Sequence, residues 1–280
     1  MFNQQRITTT KRKGIVHLEQ MKSSDFIQMI KHLKILCPDG IVKKELEISL
    51  KVDGLGFRFG KDANGRPFIE SSRSGPVFHS GVFREYTRSR TSNLQSLYRA
   101  ECYEQLFDFF STSSLMNVIP DNRKIVCELL YSPLGVQRDN KIRFVNVEYD
   151  KDKVGSLMTI VPLDVLIVSS GEQACDYKTI LTHLLKESNS KVKIISCKLQ
   201  YDPVDLNFLF DKIKTISLND DNEIQKLKHQ FARAFLMKIN PQDKNVLGNN
   251  IEGIVLKTDV FTTKIISEYF KYQQKENGIK

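Results

Sequence analysis

The stretch from residue 45 to residue 54 reads ELEISLKVDG, and the rest of the chain is interpreted from it. Apolar and polar residues alternate from Glu45 to Leu50, which is the period of a β-strand with one buried face. The strand ends in the tetrad Lys51-Val52-Asp53-Gly54, whose glycine permits a tight turn or a close backbone approach. A lysine at a strand end, beside an acid, is a candidate nucleophile.

Three later segments could complete a site around this lysine. In order along the chain they are SRSG at 72–75, VCEL at 126–129 and EGIVLK at 252–257. The tetrad alone arises by chance in roughly one chain in twenty of this length, so the inference depends on the ordered set. An unpaired carboxylate inside an apolar strand is costly, and this favours a functional role for Glu128.

Composition bounds the class of protein. The chain has 280 residues, 42 basic and 33 acidic side chains and a net charge of +9. Its length is sufficient to bury a substantial core. Because lysine and arginine gain affinity by displacing counterions from phosphates, a polyanion partner such as nucleic acid is expected. A merely basic protein is the alternative that charge alone leaves open.

Several classes of protein are disfavoured. No apolar run approaches the roughly 18 residues of a membrane helix, and no apolar signal core follows the basic N-terminus, so a cytoplasmic protein without a membrane partner is expected. The cysteines contain no CxxC pair, which argues against a zinc ribbon or a disulfide framework and predicts free thiols, most of them in the core. The histidines show no metal-ligand spacing and receive no role.

Periodicity predicts an α+β fold built on antiparallel sheets. Residues 1–43 are expected to form an N-terminal helical segment packed on the main domain, and residues 44–280 to form that domain, with a helical insertion at about 176–240. An antiparallel meander is predicted over 45–73. Further strands are predicted at 124–131, 141–147, 156–169, 192–199, 251–258 and 261–266, and helices from Ser23 or Ser24, at 92–111, 179–186, 204–216 and 222–238, and at the C-terminus.

Transfer of a nucleotidyl group through a lysine needs a neutral amine, although the reference pKa of a lysine is about 10.4. Nearby cations, burial and a divalent metal lower a lysine pKa. Lys257 and Lys264 could supply positive charge beside Lys51 and neutralise phosphates. Carboxylates would hold a metal and a ribose, and an arginine would grip a phosphate with two hydrogen bonds.

These segments, in this order, resemble the covalent nucleotidyltransferase superfamily, which contains ATP-dependent DNA and RNA ligases and mRNA capping enzymes. The resemblance runs from about residue 44 to 270, interrupted by the helical stretch, and implies the ATP-grasp-like fold of a ligase adenylation domain. The segment Arg66-Pro67-Phe68, followed by residues 71–75, resembles the corresponding sequence in ligase-like proteins of large tailed bacteriophages. That likeness implies a bacteriophage type acting in the host cytoplasm.

The resemblance implies a role for each matching residue. Lys51 would attack the α-phosphorus of ATP and form a lysyl-adenylate. Asp53 would orient the lysine and its metal, and Gly54 would let the backbone approach the nucleotide. Arg73 would contact the ribose or an incoming 5′-phosphate, and Glu128 a ribose hydroxyl.

The last two segments would complete the site. Glu252 would hold a divalent metal, expected to be Mg²⁺ because it prefers oxygen ligands. Lys257 and Lys264 would brace the phosphates, while Ile254 or Val255 packs against adenine. The adenylate would then pass to a 5′-phosphate, and a 3′-hydroxyl would displace AMP to seal the strand.

Five features depart from the family pattern. Gly56 stands where the family often has arginine, which leaves Arg58 as a replacement if the strand register allows it. Lys264 is followed by isoleucine rather than by a second lysine one residue later, and it lies unusually close to Glu252. No clear aromatic residue for stacking follows Glu128 in the expected strand, and Phe144 is the candidate that remains. The chain ends soon after Lys264, so no C-terminal OB domain is expected, which argues against a capping enzyme.

The sequence therefore predicts an ATP-dependent polynucleotide ligase-like adenylyltransferase acting on DNA or RNA ends, with a role such as DNA repair. One alternative is a virion-associated protein that binds nucleotide or nucleic acid on the same fold without turnover. The other is adenylylation of a substrate that is not a polynucleotide end. An accessory protein partner and the oligomeric state stay open.

Overall fold

The computed structural model describes residues 16–52, 54–71, 74–89, 92–131, 136–138, 141–143, 148–150, 157–187, 191–217, 220–239, 252–258 and 260–267. Asp53, Arg73, Phe144 and the predicted C-terminal helix lie outside these residues. The three short strands between 136 and 150 are described by their backbone alone.

Seven α-helices and fourteen strands lie in the described residues, and most strand pairs are antiparallel. The helices are α1 Ser23–Leu36, α2 Val82–Arg88, α3 Leu94–Thr112, α4 Leu115–Val118, α5 Tyr177–Leu184, α6 Asn207–Lys212 and α7 Asp221–Leu236. The strands are β1 Val16–His17, β2 Ile41–Val42, β3 Glu47–Leu50, β4 Leu55–Lys61, β5 Pro67–Ser71, β6 Arg123–Leu130, β7 Val136–Arg138, β8 Lys141–Arg143, β9 Glu148–Asp150, β10 Met158–Ile167, β11 Val192–Ile194, β12 Val204–Asp205, β13 Gly253–Lys257 and β14 Thr262–Ile266.

The α+β class predicted from the sequence is confirmed, with two parallel strand pairs, β1 with β14 and β10 with β11. None of the described helices is both long and apolar enough to cross a lipid bilayer.

The chain folds into two compact units. Unit 1 takes the described residues from 54 to 196, and unit 2 takes those from 16 to 52 and from 197 to 267. The stretch predicted as one helical insertion is divided between them, because α5 and β11 belong to unit 1 whereas α6 and α7 belong to unit 2. Helix α1, from the predicted N-terminal segment, and β3, from the predicted main domain, both belong to unit 2.

Unit 1 is built on a five-stranded sheet with strand order β11-β10-β6-β4-β5. One face of this sheet is apolar because β4 and β6 alternate: Phe57, Phe59, Ile125 and Cys127 are all at most 1% exposed. Helix α3 covers this face, and the ring of Phe110 stacks on that of Phe59 with centroids 3.6 Å apart. Burial of such aromatic surface is the main driving force for folding this unit.

Unit 2 is built on a four-stranded sheet with strand order β1-β14-β13-β3. One face is again apolar, and its residues Ile48, Leu50, Ile254, Leu256 and Ile265 are at most 4% exposed. The free side of β3 is covered by residues 197–199, because the amide of Leu50 donates to the Cys197 carbonyl at 2.7 Å and that of Leu199 to the Ile48 carbonyl at 2.8 Å. Strand β3 is therefore an inner element with both of its edges paired.

The predicted antiparallel meander over 45–73 is wrong in its first step. Strand β3 pairs with β13, whereas β4 pairs with β5 and β6 in the other unit. The predicted helix 204–216 is also wrong at its start: Val204 and Asp205 form β12, which pairs with β2, and the helix begins only at Asn207. In both cases the strand partner that decides the structure lies far along the chain.

All five cysteines lie in the described residues and all are free thiols, as predicted. Cys175 is exposed and the other four are buried. Burial, reinforced by the Glu45 carboxylate, raises the pKa of Cys37 to about 11. The buried thiols are therefore protonated at neutral pH and act as small core residues.

Gly60 gives a test of the sheet in unit 1. A Cβ on this residue would lie 2.0 Å from the Arg123 carbonyl oxygen and 2.7 Å from the Lys124 Cα, both in the neighbouring strand. We expect Gly60→Ala to lower the free energy of unfolding by about 1–3 kcal/mol, because backbone atoms must move to admit the methyl group. Thermal unfolding followed by circular dichroism measures this loss.

Gly171→Asn is the matched control. Gly171 has φ +74° and open space around it, and asparagine tolerates this backbone conformation. Its unfolding midpoint should stay close to that of the wild type. Equal midpoints for Gly60→Ala and the wild type would contradict the described pairing of β4 with β6.

Candidate active site

The face of the unit 2 sheet opposite the apolar core carries most of the predicted site residues. Strand register places Ser49, Val255, Lys264 and His17 in one row across β3, β13, β14 and β1. The next row on the same face of the sheet contains Glu47, Lys257 and Thr262. Since neighbouring strands are about 4.8 Å apart, these side chains form one continuous polar surface.

Lys51 extends this surface at the end of β3. Its amide donates to the Gly253 carbonyl at 2.9 Å, so the pairing of β3 with β13 continues one residue beyond the regular strand. Alternation then places the Lys51 side chain on the same face as Ser49 and Val255. Only 12% of that side chain is exposed, which is low for a lysine at a strand end.

Glu252 forms an ion pair with Lys51 at this position. Its Oε1 contacts the Lys51 Nζ, and only 8% of the glutamate side chain is exposed. The next residue, Gly253, allows the close approach of β14, because a Cβ there would lie 2.0 Å from the Ile265 carbonyl oxygen. The predicted lysine and the predicted metal-binding glutamate are thus brought into contact.

The two accompanying lysines, Lys257 and Lys264, lie on the same face. Lys264 lies directly opposite Val255, and Lys257 lies directly opposite Glu47. A tight hairpin joins their strands, closed by a hydrogen bond of 2.9 Å from the Thr258 amide to the Phe261 carbonyl. This hairpin accounts for the short spacing between Glu252 and Lys264.

Val255 and Ile254 were both candidates to pack against adenine. Ile254 is fully buried on the apolar face with Leu50 and Ile265. Val255 lies on the lysine face, between Ser49 and Lys264, and is partly exposed. Of the two, only Val255 is placed where a ligand of this surface could touch it.

His17 belongs to the same surface, although the sequence gave no reason to assign it a role. It lies directly opposite Lys264 on the parallel strand β1. Burial, then the charges of Lys264 and Lys51, lower the pKa of His17 from 6.5. A search for metal-ligand spacing could not find it, because its neighbours come from distant segments. The only local signal was the sequence Ile15-Val16-His17-Leu18, whose residue types are typical of a short strand.

Glu128 and Gly54 lie in unit 1. Glu128 is on β6, opposite Gly56 of β4, on the face away from the apolar core. Its carboxylate is a cause, second to burial, of the raised pKa of Tyr103, and Arg58 acts in the opposite sense on the same hydroxyl. Arg58 lies on the same face of β4 as Gly56. This is the register that Arg58 needs if it replaces the arginine that the family often has at the position of Gly56.

Packing against β6 explains why residue 54 is a glycine. A Cβ at this position would lie 2.6 Å from the Leu129 carbonyl oxygen and 2.9 Å from a methyl group of Leu130. The close backbone approach therefore occurs within unit 1, against β6. A role in nucleotide binding stays a prediction for Gly54, as it does for Asp53 and Arg73 outside the described residues.

The same face of unit 1 holds a buried ion pair that the sequence did not reveal. Lys124 Nζ lies 3.8 Å from Glu70 Oε1, and the two side chains are 11% and 3% exposed. Lys124 and Glu70 belong to β6 and β5, on either side of β4. Gly60, directly opposite Lys124, has no side chain to obstruct this contact across β4.

The carboxylate of Glu252 is an oxygen ligand of the kind that hard divalent cations prefer. Within the described part of the chain, His, Cys, Asp and Glu side chains form no group of three or more that could hold a metal. Mg²⁺ is commonly held by one or two carboxylates together with waters and substrate phosphates, so a single buried carboxylate beside a phosphate site is compatible with it. Among the described residues, Glu252 is the carboxylate that fits the role of such a metal ligand.

Comparisons with known proteins gave structural neighbours only. No protein-family model matches the chain, and no curated protein is similar to it in sequence. A mutant of Naegleria gruberi RNA ligase with ATP and Mn has a TM-score of 0.46 and 13% identity, over 95% of this chain and 59% of that one. Another mutant of that ligase, with AMP and Mn, has a TM-score of 0.44 and 14% identity, over 96% and 60%.

The N. gruberi RNA ligase with PPi has a TM-score of 0.41 and 14% identity, over 97% of this chain and 61% of that one. The chain thus spans about three fifths of the length of the ligase chains it matches.

The Lys51–Glu252 pair predicts energetic coupling between the two side chains. Removing one partner of a buried ion pair leaves an uncompensated charge and typically costs about 3 kcal/mol or more. We expect Lys51→Met and Glu252→Gln each to lower the free energy of unfolding. The double variant should lose less than the sum of the two single losses.

Denaturant unfolding of the four proteins measures this coupling. Ser49→Ala combined with Glu252→Gln is a suitable control pair, because Ser49 lies on the same face without an ion pair to Glu252. Losses that simply add for Lys51 and Glu252 would contradict the contact.

Proposed function

We propose that this chain is an ATP-dependent adenylyltransferase of the ligase type, with Lys51 as the nucleophile. The observation that carries the proposal is the Lys51–Glu252 pair, largely buried on a sheet face that also presents Lys257 and Lys264. A surface with three lysines suits a polyphosphate, and one of these lysines is held at a carboxylate that can take a metal.

The covalent step is a displacement at phosphorus. The lone pair of the neutral Lys51 Nζ forms a bond to the α-phosphorus of ATP, and the bond from that phosphorus to the bridging oxygen breaks. Pyrophosphate leaves with the electron pair, and the excess proton on nitrogen passes to solvent. The product is a phosphoramidate that joins AMP to Lys51.

The other residues hold and orient the nucleotide. Lys257 and Lys264 neutralise the phosphates, and Val255 packs against the base. Glu252 would hold a divalent metal, Mg²⁺ or Mn²⁺, which supplies further positive charge to the phosphates when bound. Asp53, Gly54, Arg73 and Glu128 keep the nucleotide-binding roles that the resemblance implies.

Lys51 must leave the ion pair with Glu252 and lose a proton before it attacks, because a protonated amine has no free lone pair and is not a nucleophile. The ion pair is therefore the resting arrangement of the site. It holds the Lys51 ammonium at Glu252, beside the position proposed for the α-phosphorus.

Label from ATP tests the first step. Incubation with ATP labelled at the α-phosphate and a divalent metal, followed by denaturing electrophoresis, should place label on the wild-type chain and none on Lys51→Ala. The label should be lost in acid and survive in alkali, as expected of a phosphorus–nitrogen bond. Lys226→Ala, which changes an exposed lysine of α7, should be labelled like the wild type; a wild-type band without label would overturn the proposal.

The acceptor of AMP distinguishes ligase activity from its alternatives. Isolated adenylylated chain should pass its label to a 5′-phosphorylated strand and then seal that strand to a 3′-hydroxyl, with DNA and RNA duplexes tested side by side. Label that moves only to a protein would select adenylylation of another substrate. Nucleic-acid binding that weakens with salt but is unaffected by Lys51→Ala, without any transfer, would select a binding protein.

A further inference from the structure

We propose that His17 is a binding residue for the polyphosphate of the nucleotide, donating a hydrogen bond to a phosphate oxygen beside Lys264. The inference rests on the proposed function, since it concerns the same nucleotide. It adds a residue from outside the four sequence segments that suggested the site, and it starts from the register of β1.

The position of His17 is fixed by strand pairing. Strand β1 runs parallel to β14, and His17 lies directly opposite Lys264. Lys264 in turn lies opposite Val255 of β13, so the three side chains form a row on one face of the sheet. An anion held by Lys264 is therefore within reach of the imidazole, because neighbouring strands are about 4.8 Å apart.

The surroundings of His17 suit an uncharged donor. Burial, then the charges of Lys264 and Lys51, lower the pKa of His17, which favours the neutral imidazole. A neutral imidazole carries one N–H donor and one acceptor nitrogen. It can bind a phosphate oxygen without the repulsion that a third ammonium group would meet beside two lysines.

Strand β1 has only two regular residues, yet it is anchored on both sides of His17. Before it, the Thr263 hydroxyl donates to the Val16 carbonyl at 3.0 Å. After it, the Lys228 ammonium of α7 donates to the Met21 carbonyl at 2.5 Å and lies 3.5 Å from the Glu19 carbonyl. The register that aligns His17 with Lys264 is thus held by a buried side chain from a different element.

Lys228 is the positioning residue in this arrangement. It is 1% exposed, and burial lowers its pKa, with Asp221 acting in the opposite sense. A lysine enclosed in this way is costly unless its donors are used, and the described acceptors are two carbonyls of the segment after β1. A purely structural role for His17 would need no such fixed alignment with Lys264.

ATP binding tests the role of His17 directly. On a Lys51→Met background, which cannot form the adenylate, His17→Ala should weaken ATP binding by about tenfold, the size expected for one hydrogen bond to a charged group. His17→Gln, which keeps an N–H donor, should recover part of the loss. His229→Ala, a change of an exposed histidine on α7, should bind ATP like the parent.

Adenylylation kinetics supply the second readout. In chains that retain Lys51, His17→Ala should raise the KM for ATP by about tenfold with little change in the maximal rate of labelling, because it removes binding rather than the nucleophile. Lys228→Met should raise the KM in the same direction through displacement of β1. Circular dichroism of each variant checks that the fold is retained.

The outcomes separate the two proposals. Wild-type chain that takes no label while the Lys51→Met chain still loses ATP affinity on His17→Ala would overturn the covalent step and leave His17 as a phosphate ligand. Labelled wild type, with folded His17→Ala and His17→Gln that bind ATP as tightly as their parent, would overturn the role of His17 and leave the adenylation intact. If His17→Ala does not fold, the same comparison rests on His17→Gln, where unchanged ATP affinity and unchanged KM overturn the role.

Discussion

The contact between Lys51 and Glu252 joins two segments separated by 201 residues. It forms because β3 and β13 are neighbours in the sheet of unit 2, with the Lys51 amide bonded to the Gly253 carbonyl. Two largely buried charges need each other, since either one alone would be an uncompensated charge. A pair of apolar residues often serves stability equally well, so stability alone does not account for an amine and a carboxylate at this position.

The spacing of residues 252–257 follows from the geometry of this strand pair. Glycine is required at 253 because the Ile265 carbonyl approaches too closely for a side chain. The period of two then places Val255 and Lys257 on the polar face, while Ile254 and Leu256 fill the core. The segment that resembles a family motif is thus also the pattern needed by an inner strand with one apolar face and one face that carries the lysine side chain.

What the sequence could predict depended on how local the determining interaction was. The alternation in 45–50 predicted β3, the predicted strand 251–258 contains β13, and the predicted helix 222–238 corresponds to α7. The pairing of β3 was missed because its partner, β13, lies about 200 residues further on, and the pattern of a strand does not identify its neighbour. His17 was missed for the same reason, since its alignment with Lys264 is a parallel pairing between the two ends of the described chain.

The helical stretch that interrupts the resemblance has a physical connection to the polar face of unit 2. Residues 197–199 complete the pairing of β3, and α7 supplies Lys228 to the segment after β1. Strand β1 is too short for its own ladder to fix its register, so the alignment of His17 with Lys264 depends on that ammonium and on the Thr263 hydroxyl. A change in α7 would therefore reach the polar face through β1, without passing through Lys51 or Glu252. The strand that carries Lys51 and the strand that carries His17 are in this way stabilised by separate contacts within one unit.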